Sequence, residues 1–455
     1  MLVSEHSFDA VVIGAGPAGE VCAGRLADGG LEVAVVESHL IGGECSFYAC
    51  MPSKGLLRPG ELLGEVRRIP GVREAVTGEL DARAALARRD EIIHDLDDSG
   101  QLPWLEAKGI RLFRGEASFT GERRLAVGQD LLEARKAVVI STGSSAAVPP
   151  IDGLREADPW TNHEATTAKA VPERLLVLGG GVVAVEMAQA WSSFGSRVTL
   201  VEREQRLILR EEEFAAELVA DGLRERGVDI RLGAGATAAS ARDGEIDLEL
   251  ETGERLSGDQ LLVAVGRRPN TERLALDSVG LEPGRPIEVD DRLRVNDWLY
   301  AVGDVNERVL LTHMGKYQAR VAADVILGKD ARITEDGARS PQVIFTDPQV
   351  ASVGHSLAAA KEEGIDARAV DLSTQATAGG SFFGREAPAR TRFVVDQGRG
   401  VLAGATFVGP DIAEFLHAAT IAMVGAVPLE RLAHAVPCFP TRSEVWLNFL
   451  EELGL

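Results

Sequence analysis

Apolar positions along this chain gather into short unbroken runs, each closed by glycine or by an acid, with helical periodicity between them. Ala10-Val11-Val12-Ile13 is such a run and enters Gly14-Ala15-Gly16-Pro17-Ala18-Gly19, after which residues 21–26 space their apolar side chains as a helix does. The pattern predicts strand, tight turn, helix. A second run, Val33-Ala34-Val35-Val36, ends in Glu37, 23 positions after Gly14. The arrangement returns downstream, where Leu175-Leu176-Val177-Leu178 enters Gly179-Gly180-Gly181-Val182-Val183-Ala184 and Val198-Thr199-Leu200-Val201 ends in Glu202, again 23 positions after Gly179.

One G-x-G-x-x-G motif is a weak signal; two copies with the same strand context and the same distance to an acid predict two dinucleotide sites. Glycines let the main chain approach a pyrophosphate, the following helix presents unpaired N–H groups and a positive dipole end, and the acid stands where a ribose hydroxyl needs an acceptor. Gly14, Gly16, Gly19 and Glu37 are the candidates in the first copy; Gly179, Gly181 and Glu202 are their counterparts in the second. Ala184 replaces the third glycine of the second copy, a position that governs helix-to-strand packing more than phosphate contact.

Between the copies, residues 56–107 carry charged helical periodicity, notably 61–68 and 80–94, interrupted by Pro70 and Pro103, and read as solvated helices. The run Leu261-Leu262-Val263-Ala264-Val265-Gly266, followed by Arg267-Arg268-Pro269-Asn270, predicts a buried strand leaving the second nucleotide fold, and Leu299-Tyr300-Ala301-Val302-Gly303-Asp304 predicts another strand ending in an acid. A polar stretch over 331–340 reads as a linker; beyond it, 343–345, 392–395 and 402–408 alternate like sheet, with helices expected at 412–424 and 444–452. The predicted fold class is α/β, with two Rossmann-like dinucleotide-binding domains and a C-terminal α+β domain. The boundaries fall at 1–150 with 270–335, at 151–269, and at 336–455.

Composition supports about three folded units in 455 residues, with 45% hydrophobic and 26% charged residues. A formal charge of −22 disfavours nucleic acid and anionic membrane surfaces as partners. The opening stretch lacks a basic segment followed by an apolar one, so a cytoplasmic location is expected. Four cysteines in so long a chain do not make a secreted disulfide scaffold. No metal-ligand set is expected.

Two of those cysteines stand five positions apart, in Ile41-Gly42-Gly43-Glu44-Cys45-Ser46-Phe47-Tyr48-Ala49-Cys50-Met51-Pro52-Ser53-Lys54. Placed within a helix, such a pair could close only a small, constrained ring, and strain together with a positive helix end favours easy reduction and low thiol pKa values. Two unlinked, buried cysteines are the other reading of this spacing.

The stretch GGECSFYACMPSK resembles the GG-x-C-x4-C-x-PSK signature of the class I pyridine nucleotide-disulfide oxidoreductases, the family of dihydrolipoamide dehydrogenase, glutathione reductase and mercuric reductase, and the likeness spans essentially the whole chain. The resemblance implies an enzyme in which Gly14, Gly16, Gly19, Glu37 and Gly43 hold FAD, with Thr142 and Gly143 closing over the cofactor and Asp304 on its ribityl chain. Leu311-Thr312-His313 would begin a helix aimed at the flavin, and Gly179, Gly181, Glu202 and Gly266 would serve the nicotinamide cofactor. It further implies that Cys50 is the flavin-proximal sulfur, that Cys45 meets the substrate, and that Lys54 and Glu186 pair where hydride arrives. Residues 345–354 resemble the family's interface strand, so a homodimer is expected, with a small-molecule electron acceptor as the other partner.

The chain departs from the family at its C-terminal end. Where most disulfide-reducing relatives carry a catalytic His five residues before a Glu, this sequence has Phe439 before Glu444. A phenyl ring moves no proton, and general acid–base catalysis contributes about a hundred- to ten-thousand-fold in rate. The resemblance implies a disulfide or another small molecule as acceptor, and Phe439 disfavours efficient turnover of dihydrolipoamide or glutathione. Alternatives are a mercuric-reductase-like use of soft metals, quinone or diaphorase-type reduction at the flavin edge, and a non-catalytic flavin-binding subunit. The tail Leu453-Gly454-Leu455 carries no cysteine pair. Cys438 is expected to be a packed interface cysteine, with a third redox thiol as the sharper alternative; Cys22 should be core, and His434 would replace the missing base only after a backbone shift. Glu202 repels a 2′-phosphate and favours NADH, whereas Ala184, Arg203 and Arg206 leave NADPH open.

Overall fold

A computed structural model describes residues 4–384 and 387–455. The chain forms two compact units. The first comprises the residues up to Pro52, Asp90–Ala147 and Arg267–Gly337; the second comprises Ser53–Arg89, Val148–Gly266 and Ala338–Leu455.

In the first unit a seven-stranded sheet is built on the parallel strands Arg111–Arg114, Val33–Glu37, Ser4–Ile13 and Asp130–Ile140, in that order. Leu299–Ala301 runs parallel along the far end of Asp130–Ile140, and the antiparallel strands Arg124–Val127 and Ala117–Gly121 extend the sheet on that side. Val11, Val12, Ala34, Val138 and Val139 are buried in strands with neighbours on both sides, which is why the sequence shows apolar runs here rather than alternation. Helix α1 (Pro17–Asp28) packs against the Thr312–Ile326 helix over small residues: a Cβ added to Gly315 would lie 3.4 Å from the Ala18 Cβ.

The second unit contains a four-stranded parallel sheet ordered Asp229–Leu232, Arg197–Glu202, Arg174–Leu178, Gln260–Val263, and a five-stranded antiparallel sheet ordered Gln342–Ile344, Gln349–Gly354, Val401–Gly409, Arg390–Asp396, Ala367–Leu372. Residues 412–424 fold as a 3-10 turn, Ala413–Phe415, leading into the Leu416–Val424 helix, and the last helix is Val445–Glu451. Gln349–Gly354, within the segment expected to be an interface strand, is an interior strand of its sheet, with Val350 and Ala351 fully buried.

The reading of 56–107 as solvated helices needs correction. The Ala82–Ile92 helix buries Ala85 and Leu86, and Arg89 has no exposed surface. Its guanidinium donates to the carbonyls of Thr166 and Ala168 at the C-terminal end of the short Asn162–Thr167 helix. Among the described residues, no helix is long and apolar enough to cross a membrane.

Candidate functional site

The first glycine turn is shaped by close backbone approach. Gly14 has a φ of +99°, and a Cβ there would sit 2.3 Å from the Ser141 carbonyl oxygen, while one on Gly19 would sit 1.9 Å from that of Gly14. Gly16 opens α1 without any side-chain cap, so the first-turn N–H groups have no side-chain acceptor from the N-cap. Gly43 lies against Gly16 with a φ of +59°, and a Cβ on it would come within 2.8 Å of the Gly16 Cα. The buried Glu37 accepts the Ala15 N–H at 2.6 Å and the His39 N–H at 2.7 Å. These features fit a dinucleotide phosphate and ribose: side-chain-free backbone, open amides and an oriented carboxylate.

Thr142 and Gly143 are tied to Asn270: the Thr142 hydroxyl donates to its carbonyl at 2.7 Å, and the Gly143 carbonyl accepts its N–H at 3.0 Å. Asp304 accepts from the Ser144 hydroxyl at 2.6 Å, and that hydroxyl accepts from Arg267 Nε at 2.7 Å. Burial raises the Asp304 carboxyl above the ordinary range, opposed by the Ser144 hydrogen bond and the Arg267 charge. Arg267 also pairs with Glu44, the residue just before Cys45. Arg267 and Glu44 were not among the sequence candidates; an ion pair 223 positions apart leaves no local pattern.

The two cysteines do not share one helix as the sequence reading supposed. Cys45 lies in α2 (Gly43–Phe47), the helix breaks at Tyr48 and Ala49, and Cys50 begins α3 (Cys50–Arg68). In a continuous helix residues five apart point about 140° from each other, so the break is what lets the sulfurs meet. The structure carries them as thiols. The Cys45 thiol hydrogen-bonds the Cys50 sulfur, and that bond, then burial, pushes Cys45 far above the ordinary thiol value, with Thr312 and Lys316 pulling the other way. Cys50 Sγ lies 3.3 Å from the Thr312 hydroxyl. Thr312 is therefore a site residue that sequence reasoning missed, although the helix start at Thr312 was expected. His313 is exposed on the same helix. Cys22 is fully buried, and burial pushes its thiol up to about 12.

In the second unit, Gly179 repeats the geometry of Gly14: its φ is +119°, and a Cβ would lie 2.4 Å from the Ala264 carbonyl oxygen. Gly181 opens the Val182–Ser193 helix without a side-chain cap, and Ala184 is fully buried at the packing position. Glu202 accepts the Glu204 N–H at 2.8 Å, and Gly266 adopts a φ of +146° at the end of its segment. Glu186, 3% exposed, pairs with Lys54 at 2.8 Å and accepts the Phe345 N–H at 2.9 Å; the Lys54 ammonium stands 4.8 Å from the Phe345 ring centre. Glu444 accepts the Gly379 N–H at 3.4 Å, while Cys438 and Phe439 are exposed in this single chain. The first unit thus gathers Gly14, Gly16, Gly19, Glu37, Gly43, Cys45, Cys50, Thr142, Gly143 and Asp304, and the second gathers Lys54 with Glu186 and carries Gly179, Gly181, Glu202 and Glu444.

The family profile described as pyridine nucleotide-disulphide oxidoreductase matches residues 8–321, and that family's dimerisation domain matches residues 340–449. Mercuric reductase of Shigella flexneri is 34% identical over 99% of this chain and 80% of its own length. Dihydrolipoyl dehydrogenase of Haloferax volcanii is 30% identical over 97% of this chain and 95% of its own. Among solved structures, the Cu(II) complex of the HOCl-induced flavoprotein disulfide reductase RclA from Escherichia coli superposes with a TM-score of 0.87 at 27% identity, covering 98% of this chain and 100% of that one.

Proposed function

Because this chain belongs to the pyridine nucleotide-disulphide oxidoreductase family, whose members are FAD-dependent and use pyridine nucleotides, we propose that it carries two electrons from NAD(P)H by way of FAD and the Cys45–Cys50 pair to a disulfide or another small acceptor. The observation that carries this reading is the hydrogen-bonded pair of sulfurs at the α2–α3 break, with the Thr312 hydroxyl against Cys50. When bound, FAD supplies the two-electron relay between nicotinamide and sulfur.

The chain's own residues have separable tasks. Gly14, Gly16, Gly19, Gly43 and Glu37 bind the adenosine diphosphate of FAD; Thr142, Gly143 and Asp304 orient the rest of it. Gly179, Gly181, Glu202 and Gly266 bind the nicotinamide nucleotide. Glu202 favours NADH over NADPH by charge, and Arg206, which donates to the Leu209 carbonyl at 2.7 Å, is already engaged. Lys54 and Glu186 hold each other's charge in place for the hydride donor. Cys50 takes the flavin-side role and Cys45 the acceptor-side role. Residues 1–150 with 270–335, 151–269 and 336–455 are assigned to FAD, nicotinamide and dimerisation in turn, and a cytoplasmic homodimer is the working form.

A second reading is a soft-metal reductase, in which thiolates of the pair take a thiophilic ion as substrate. It is favoured by the identity to mercuric reductase and by Phe439, which leaves no imidazole at the position where the family's disulfide reductases need one.

Anaerobic titration of the flavin-loaded protein with NADH and NADPH tests the reading. A long-wavelength absorbance should grow with two-electron reduction and be missing from Cys50→Ser. In Cys45→Ser, turnover of disulfides and of thiophilic ions should fall by about a hundredfold or more while quinone reduction persists. Equal loss of all three activities would overturn this division of labour.

A further inference from the structure

Arg267 opens the Arg267–Pro269 strand, which pairs antiparallel with Ser144–Ala146. Its guanidinium donates twice to Ser144, from Nε to the hydroxyl at 2.7 Å and from Nη2 to the carbonyl at 2.7 Å. Nη2 also pairs with the Glu44 carboxylate, in the first turn of α2. The Arg267 and Glu44 side chains are 21% and 27% exposed, too sheltered for the near-zero value of an open surface pair.

These contacts decide where one proton goes. A serine hydroxyl has a single proton and a guanidinium only donates, so an oxygen that receives the Nε–H must turn its own proton elsewhere. The Ser144 proton goes to Asp304 Oδ2, 2.6 Å away on the Asp304–Asn306 turn. Arg267 Nε is itself 3.8 Å from that oxygen, close enough to favour its charge but too far to bond it. Glu44, Arg267, Ser144 and Asp304 therefore form one line of contacts, all within the first unit, from the helix that bears Cys45 to the carboxylate assigned to FAD. We propose that Arg267 is a positioning residue for the flavin: anchored by Glu44, it orients the Ser144 hydroxyl onto Asp304 Oδ2 and so fixes that carboxylate with Oδ1 presented to the ribityl chain. The role requires no contact between Arg267 and FAD. It deepens the proposed function, since it rests on Asp304 being the carboxylate that orients the cofactor.

FAD release from the holoenzyme tests this. Flavin-loaded protein is diluted, and the rise of free-flavin fluorescence gives a rate constant without nicotinamide or any acceptor. Arg267→Met keeps much of the side chain's length but removes its donors, and should release FAD about tenfold faster, the value of about one hydrogen bond to a charged group. In a Ser144→Ala protein, which already lacks the relaying hydroxyl, adding Arg267→Met should change release no further; a merely structural support would still add its own effect. Glu44→Ala leaves Arg267, its strand and Ser144 in place, so it keeps the test open if Arg267→Met does not fold, and it should speed release about threefold. Wild-type release from Arg267→Met overturns the role of the arginine, wild-type release from Glu44→Ala overturns the anchor, and a tenfold effect that survives in Ser144→Ala overturns the relay. Each of those results leaves the FAD site standing. Asp304→Ala releasing FAD at the wild-type rate would instead end the assignment of that carboxylate to the cofactor, and this role with it.

Discussion

Glu20 shows how a single side chain carries a measurable charge cost. Its carboxyl rises from 4.5 to about 7, mainly through burial. A carboxylate raised on folding holds its proton more tightly in the native state, so its contribution to stability is fully present below 4.5 and is lost as pH climbs through about 7. Glutamine keeps the shape without the charge. Glu20→Gln should therefore be nearly neutral in acid and stabilising by about 1 to 3 kcal/mol above neutrality, a range discounted for the carboxyl's partial exposure. Urea midpoints of the two proteins on either side of the transition check this; a difference that does not grow with pH would show that the charge is already relieved by Lys316.

At the scale of elements, the Ala82–Ile92 helix is held by an ion where an apolar residue would be expected. Arg89 is fully buried and supplies donors to two carbonyls at the end of the Asn162–Thr167 helix, so Arg89→Met keeps much of the volume but strands those acceptors. A loss of about 3 kcal/mol is expected, seen as a lower thermal midpoint. Unchanged stability would mean that water replaces the guanidinium. This arginine also marks the limit of what sequence periodicity conveys. Strands buried on both faces, such as those of Ala10 to Ile13 and Leu175 to Leu178, were legible because their burial writes an unbroken apolar run, and both glycine turns were legible because backbone contact tolerates no side chain. Asp130–Ile140 shows no clear strand pattern because Asp130, Glu133, Arg135 and Lys136 interrupt its apolar residues without alternation beside an antiparallel partner, and Ala367–Leu372 lies at a sheet edge with only Val370 buried. The α2–α3 break was missed for a related reason: spacing between two cysteines gives their separation along the chain and says nothing of the helix ending between them. Thr312 lies more than 260 residues from Cys45 and Cys50, and only the fold brings its hydroxyl to 3.3 Å from the Cys50 sulfur.

For the whole molecule, the question is what covers the Leu416–Val424 helix. Its inner face buries Leu416, Ala419, Ala422 and Met423, yet Ile421 and Val424 are 59% and 55% exposed on the opposite side. A helix apolar on both faces belongs where both are covered, and scattered exposed apolar residues do not ordinarily line up along one helix. The match to the family's dimerisation domain spans this helix together with exposed Val436 and Phe439, which makes a second copy of the chain the cover that the proposed homodimer requires. Symmetry sharpens the test, because each substitution enters a two-fold interface twice. Ile421→Glu with Val424→Glu places four carboxylates in one interface, and light scattering after gel filtration should report monomer. Flavin content should persist, since the fingerprint, Glu37 and the cysteine pair belong to the other unit. A doubly substituted protein that remains dimeric would remove this helix from the interface.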